Sequence, residues 1–391
     1  MKPTDNFFAR KREWSRLKDE ILGTYLVPYL AKIVKTQRPI LIVDAFAGKG
    51  RFDDGESGSP LIIAEAIARS YTVHPTAQIR GLFIERKYHR ELATNVAPYA
   101  GCRVLAGTYE EHVQALTKGV DSKTSLLLFI DPYGIKSLDF QYFRALANRE
   151  LSSLELILNF NTFGFLREGC RLLSIDGDAC EENLEPYEED PPARDPLEQM
   201  DAVAGGQYWQ DILHEYYEGR FDMRAAEQAF ADAYRARLRE LFRYVVGIPV
   251  QCKQHRLPKY RLLFGTQSPD GLILMADDMN RTWRGFVARG SGGQTAMFEE
   301  INFPDMVRLE GYNLEADIVG MAGRGIDLKA LIVRLFERYG ITHSQGELDS
   351  RIKTMEKSGV LIIDRDPPVT ATGRPVRSMD YRKYRITVRR R

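Results

Sequence analysis

The sequence predicts an α/β protein, with a mostly parallel sheet covered by helices on both faces and a smaller C-terminal domain behind it. Three observations carry that prediction. Short apolar runs alternate with helical patterns through residues 40–160, a glycine-rich turn follows the first run, and acidic residues stand where the runs end. Alternation of this kind marks βαβ units, whose crossover helices return the chain so that successive strands lie parallel.

Each element can be justified in turn. Over residues 7–35, Trp14, Leu17, Ile21, Leu22, Tyr25, Leu26, Tyr29, Leu30 and Ile33 recur at three- and four-residue steps and make one apolar helical face, which Pro28 is expected to kink or divide. The strand-like runs are Ile40–Val43, Ile79–Ile84, Val104–Ala106, Ser125–Ile130 and Leu154–Phe160. Helical patterns at Pro60–Ser70, Lys87–Tyr99, Glu110–Leu116 and Phe140–Leu146 separate them. Between Asp176 and Asp201 eleven acidic residues face one basic residue, Arg194, which marks a partly irregular insertion or lid. Residues 223–243 are helical again, and Tyr244–Gln251 and Tyr260–Thr266 are expected to pair as a hairpin.

In the tail, Asp327–Tyr339 and Ser344–Ser358 are helical, each stopped by a glycine, and Val360–Asp364 and Tyr381–Val388 are strand-like. Helix, helix, strand, loop, strand is the order of a winged helix. Residues 326–391 hold fifteen Lys and Arg against eight Asp and Glu, a net +7. The expected divisions are a helical segment at 1–36, the α/β domain at 37–285 with its insertion at about 165–240, a connector at 286–322, and the basic winged-helix-like domain at 323–391.

Composition limits the function classes. The 391 residues carry a net charge of +1, with 44% hydrophobic and 28% charged residues, so a polyanion must be met by a local patch and not by a global field. Cys102, Cys170, Cys180 and Cys252 form no CxxC pair and have no metal-ligand spacing, and His89, His112 and His255 lack a paired Cys or acid. No metal is expected, and the thiols suit a reducing compartment. The first fourteen residues lack the apolar core of a secretory signal, and no run approaches a membrane span. A cytoplasmic location is the expectation.

The chemistry concentrates at the expected carboxyl edge of the sheet. Asp44-Ala-Phe46-Ala-Gly48-Lys-Gly50 follows the first run, and glycines there let the backbone approach a ligand closely. The third glycine of a dinucleotide fingerprint is missing and no Walker lysine motif is present, so a nucleoside with a small charged tail is favoured over a phosphate. Glu85 ends the second run, where a carboxylate can accept hydrogen bonds from ribose hydroxyls. Thr108 and Tyr109 follow the third run, a place that can flank a base, although a plain turn reads equally well. The fourth run delivers Asp131-Pro132-Tyr133-Gly134, in which Asp131 and Tyr133 are candidates for acceptor contact and catalysis. Asn159 and Asn161 after the fifth run can orient a ligand or simply make the turn.

Taken together and in this order, these stretches resemble the three-Cys-motif partner (TcmP) family, a bacterial group with a class I methyltransferase-like domain of Rossmann-like type. The matching residues include Trp14, Lys18, Ile21-Leu22 and Tyr25-Leu26, then Asp44–Gly50, Gly58-Ser-Pro-Leu61, Phe83-Ile-Glu85, Phe129–Gly134 and Tyr260–Thr266, over roughly residues 7–285. Lys49 replaces a proline common in that family's glycine loop. Asp131-Pro132-Tyr133 is also similar to the Asp/Asn-Pro-Pro-aromatic tetrapeptide of amino methyltransferases, with one proline fewer.

The resemblance implies S-adenosylmethionine as cofactor, with Asp44, Phe46, Gly48 and Gly50 at its methionine end, Glu85 at the ribose, and Thr108 and Tyr109 at the adenine. It also implies a partner carrying a three-cysteine motif, radical-SAM-like in type. The acceptor stays open between nucleic acid and a protein or peptide. The alternative is a non-catalytic protein that keeps the fold and binds nucleic acid or a partner, with Arg351, Lys353 and Lys357 on a recognition helix and Arg374 and Arg377 in a wing.

Overall fold

The computed structural model describes residues 8, 11, 13–132, 134–135, 138–175, 195–250, 258, 260–290 and 311–391. Two compact units are present, Met1–Ser268 and Pro269–Arg391.

The first unit contains α1 (Glu13–Ile33), β1 (Ile40–Asp44), α2 (Ser59–Val73), β2 (Ile79–Glu85), α3 (His89–Val96), β3 (Cys102–Ala106), α4 (Tyr109–Gly119), β4 (Ser125–Ile130), α5 (Phe140–Ala147) and β5 (Ser153–Phe160). After these come α6 (Thr162–Leu172), α7 (Pro196–Ala204), α8 (Tyr208–Tyr217), α9 (Met223–Arg239), β6 (Tyr244–Val250) and β7 (Tyr260–Thr266). The seven strands lie in the order β3-β2-β1-β4-β5-β7-β6. The first five are mutually parallel, and β7 runs antiparallel to both β5 and β6. This is a class I methyltransferase sheet of Rossmann-like type, closed by the antiparallel pair that the sequence led us to expect. Strand order reverses between β1 and β4, so the loops leaving those strands diverge and open a crevice at the carboxyl edge.

The sequence supports this arrangement strand by strand. All six residues of β4 are buried, as are seven of the eight in β5, because a central parallel strand is covered on both faces. Helix α1 packs on α2 and buries Leu17, Ile21, Leu22, Tyr25, Leu26, Tyr29 and Leu30. Pro28 lies inside α1 without dividing it. The residue four positions back, Thr24, is exposed, so the carbonyl that loses its helical donor stands on the wet side. Helices α6, α8 and α9 close around an aromatic cluster in which Phe165 stacks on Phe230 at 4.6 Å. The acidic stretch 176–194 lies outside the described residues.

The second unit contains α10 (Pro269–Gly290), α11 (Leu314–Ala322), β8 (Ile326–Asp327), α12 (Leu328–Tyr339), α13 (Gln345–Lys357), β9 (Leu361–Asp366) and β10 (Arg385–Arg390). Its sheet runs β8-β10-β9, antiparallel throughout. Asp327 caps α12, and Ser344 with Glu347 forms a capping box on α13. Helix α10, which the sequence divided between the α/β domain and a connector, belongs wholly to this unit. Strand β10 starts at Arg385 and not at Tyr381, because Asp380 closes a turn by accepting from the backbone N–H of Arg382 and Lys383. No described helix is long and apolar enough to cross a membrane.

One charge lies deep in the first unit. Glu155 is 3% exposed. It accepts from Tyr25 Oη at 2.7 Å and Thr266 Oγ1 at 3.4 Å. Burial pushes its carboxyl from 4.5 up to about 7, the two hydrogen bonds offsetting only part of the desolvation. A carboxyl raised on folding contributes stability that is complete below its unfolded value and lost as pH rises through its folded value. Denaturant unfolding of Glu155→Gln beside the wild type should show the difference shifting in the variant's favour by up to about 3 kcal/mol between pH 4.5 and pH 8. A difference independent of pH contradicts this account.

Candidate functional site

Adjacent strands β2, β1 and β4 bring three carboxylates to one edge of the sheet. Glu85 and Asp44 are the last residues of β2 and β1, and Asp131 follows β4 directly.

Asp44 is fully buried. Its Oδ2 accepts from Ser59 Oγ at 2.6 Å and its Oδ1 from the Phe46 N–H at 3.2 Å. Burial raises its carboxyl to about 7; those hydrogen bonds pull it down, and the nearby charges of Asp131 and Asp19 push it up. Gly58 occupies the cap position of α2, and the Ser59 hydroxyl in its first turn points to Asp44.

The loop after β1 turns at Gly48 (φ 62°) and Gly50 (φ 84°), backbone conformations that favour glycine. A Cβ on Gly50 would stand 2.9 Å from Leu92 Cδ1. Glu85 fixes this loop. Its Oε2 accepts from the Gly48 N–H at 2.8 Å, and its Oε1 from the N–H groups of Lys87 and Tyr88 at 2.7 and 2.9 Å. Those last two bonds hold 87–88 in a turn, which is why α3 begins at His89 and not at Lys87. With two donors on Oε1 and one on Oε2, a single acceptor position remains on Oε2.

Asp131 sits between two side chains the sequence did not pair with it. Its Oδ2 accepts from Lys18 Nζ at 2.5 Å and its Oδ1 from Asn159 Nδ2 at 2.8 Å. The Lys18 ammonium also faces the Tyr260 ring, 5.5 Å from its centroid. One residue on, Asp19 pairs with Lys11 Nζ at 2.7 Å, and that ammonium donates to the Ser57 carbonyl at 2.7 Å, tying the start of α1 to the glycine loop. Burial raises the Asp19 carboxyl, and the Lys11 ammonium offsets part of the rise.

These groups surround a cleft of about 670 Å³, including the part open to solvent. Its walls come from Phe8, Ser15, Lys18 and Asp19, from the loop residues Phe46, Gly48, Gly50 and Phe52, from Ser59, and from Asp131, Pro132 and Tyr260. Of the residues chosen from sequence, Phe46, Gly48, Gly50 and Asp131 meet in this cleft. Asp44 lies behind Ser59, and Glu85 is bonded to the Gly48 amide. Thr108 and Tyr109 are not among its walls. Thr108 forms a capping box with Glu111 at the start of α4. Tyr109 is buried against Phe46 and Tyr142, with ring centroids 6.1 and 5.9 Å away, and burial pushes its phenol up. Its hydroxyl has no hydrogen-bond partner among the described residues. Asn161 makes the turn, accepting from the Gly164 N–H at 2.8 Å. Tyr133 lies outside the described residues.

The sequence placed none of Lys11, Lys18, Asp19, Ser59 and Tyr260 among the site residues. A signal existed for Lys18, a charged residue on the apolar face between Leu17 and Ile21-Leu22.

In the second unit, Arg351 is exposed and paired with Glu315 at 2.9 Å, and Lys353 is half-buried. Lys357 is exposed in the last turn of α13, and Arg374 and Arg377 are exposed in the β9–β10 loop.

No protein-family model matches the chain. No curated protein matches it either. Similarity to solved structures is found. A Legionella pneumophila protein shares 11% identity over 64% of this chain and 85% of its own, with a TM-score of 0.36. Trm1 from Pyrococcus horikoshii in complex with S-adenosyl-L-methionine shares 9% identity over 78% of this chain and 81% of its own, with a TM-score of 0.34. Spermidine synthase from Thermotoga maritima shares 8% identity over 75% of this chain and 68% of its own, with a TM-score of 0.30. At these TM-scores the likenesses carry no argument about the cleft, and the fold assignment stands on strand order and direction.

Proposed function

We propose that the chain binds S-adenosylmethionine in the cleft at the carboxyl edge of β1 and β4 and acts as a methyltransferase. The observation that carries this is the glycine loop, pinned by Glu85 at the point where strand order reverses and opposed across the cleft by Asp131. Charge fits as well. In the cleft wall Asp19 and Asp131 balance Lys18 and Arg51; with Asp44 and Glu85 behind that wall and Lys11 on Asp19, the set carries one excess negative charge when all four carboxyls are ionised. A ligand that carries a sulfonium and an ammonium against a single carboxylate is net cationic and complements it.

The Gly48–Gly50 backbone gives close approach to the methionine end, with Asp44 behind it. The open position on Glu85 Oε2 accepts a ribose hydroxyl. Phe46, backed by Tyr109, offers an apolar wall to the base. When bound, the cofactor supplies an electrophilic methyl on sulfur. Asp131 orients the acceptor, and most of the rate comes from proximity and alignment.

The test is calorimetric titration with S-adenosylmethionine. Micromolar binding, about −8 kcal/mol, is expected, and Glu85→Ala should weaken it. Asp44 titrates near 7, so below that pH a bound cation must expel its proton. Affinity should therefore rise from pH 6 to 7.5 with proton release into buffer. No binding at millimolar ligand overturns the proposal.

A second reading concerns the C-terminal unit. Its helix, two-residue strand, two helices and three-stranded antiparallel sheet follow winged-helix order, and its exposed Arg374 and Arg377 suit backbone contacts to DNA or RNA. Binding to duplex DNA should weaken with salt, and replacing both arginines by alanine should flatten the salt slope by about 2. No binding at low salt sinks this reading. The three-cysteine-motif partner implied by the sequence resemblance belongs to the same proposal as a protein that would meet the chain in the cell.

A further inference from the structure

Asp131 and Tyr260, which wall the cleft, and Asn159, which donates to Asp131, come from three neighbouring strands. Asp131 follows β4, Asn159 is in β5, and Tyr260 opens β7, where the β5–β7 ladder sets Asn159 opposite Leu262. The sheet fixes their positions without help from any helix. The fourth member, Lys18, arrives from outside the sheet on α1, at the end of a flexible four-carbon stem.

What these strand residues hold is an ammonium. The Asp131 carboxylate accepts from Lys18 Nζ at 2.5 Å, and the Tyr260 ring faces the same nitrogen at 5.5 Å, an arrangement suited to a cation. Asn159 aligns the carboxylate by donating to its other oxygen at 2.8 Å, yet is only 1% exposed and leaves its own Oδ1 buried without a hydrogen-bond partner among the described residues. A buried carbonyl of that kind costs free energy until a donor reaches it. The Lys18 side chain is buried at 7% exposure and Asp131 is 25% exposed, and both line the cleft.

We infer that Asp131, Asn159 and Tyr260 form a subsite for an aliphatic primary ammonium group, a place Lys18 fills from within the protein when no ligand is there. The inference rests on the cofactor reading above and adds to it a class of acceptor: an alkyl amine, borne on a protein side chain or free in solution. A neutral hydroxyl lacks the charge, and the flat amine of a nucleobase lacks both the charge and the third N–H. An amine seated there has a proton already hydrogen-bonded to Asp131 Oδ2, the atom placed to take it up. The ligand must displace Lys18, so Lys18 sets the threshold for entry.

The test uses the full-length protein and n-butylammonium, which reproduces the lysine side chain beyond Cα. Lys18→Ala empties the place, and calorimetry should show it binding n-butylammonium at least ten-fold more tightly than the wild type does. The neutral isostere n-butanol should not bind, and adding Asp131→Asn should abolish binding. If Lys18→Ala does not fold, the wild type serves instead: millimolar n-butylammonium should raise its Tm and leave that of Asp131→Asn unchanged. S-adenosylhomocysteine is titrated into the same preparations to keep the two failures apart. Protein that binds S-adenosylhomocysteine but shows no n-butylammonium effect in either form overturns the subsite and spares the cofactor reading. Protein that binds neither overturns both.

Discussion

The cleft depends on one carboxylate, that of Glu85, accepting three backbone N–H groups. Two of them set the turn after β2, and the third belongs to Gly48, on the loop that leaves β1. The carboxylate is buried and must be satisfied, as must the amides, so each fixes the other. The glycine loop is thereby held at a set distance from the end of β2. That loop in turn places Ser59 against Asp44 and receives the Lys11 ammonium through Ser57, so the helix that walls the cleft is tied back to the same joint.

Around this joint the protein accepts an electrostatic cost. Asp44 and Asp19 are both pushed upward, chiefly by burial. A fold seeking only stability would place apolar residues there. Carboxylates gathered in a low-dielectric cleft instead favour a cation beside them. Lys18 and Lys11 balance part of this charge.

Much of the fold was legible in the sequence. Strands β1, β2, β4 and β5 announce themselves because strands buried on both faces are near-continuous apolar runs. The glycine loop, Glu85 and Asp131 were legible as residues at strand ends. Less legible was anything set by tertiary pairing. Lys18 finds Asp131 across 113 positions, and no local pattern reports such a contact. Thr108 shows the reverse case: its spacing to Glu111 is that of a capping box, so the plain turn was the reading its local chemistry supported. Helix α10 was divided because the expected boundary at 285 falls inside it, β8 is too short at two residues to leave a pattern, and α11 was missed although Gly323 stops it as Gly340 stops α12.

The most direct test of the central claim is a crystal structure of the protein grown with S-adenosylhomocysteine. The account predicts density in the cleft between the Gly48–Gly50 loop and Asp131, with a ribose hydroxyl within hydrogen-bond distance of Glu85 Oε2. A ligand bound elsewhere, or lying in the cleft with its ribose away from Glu85, would contradict it.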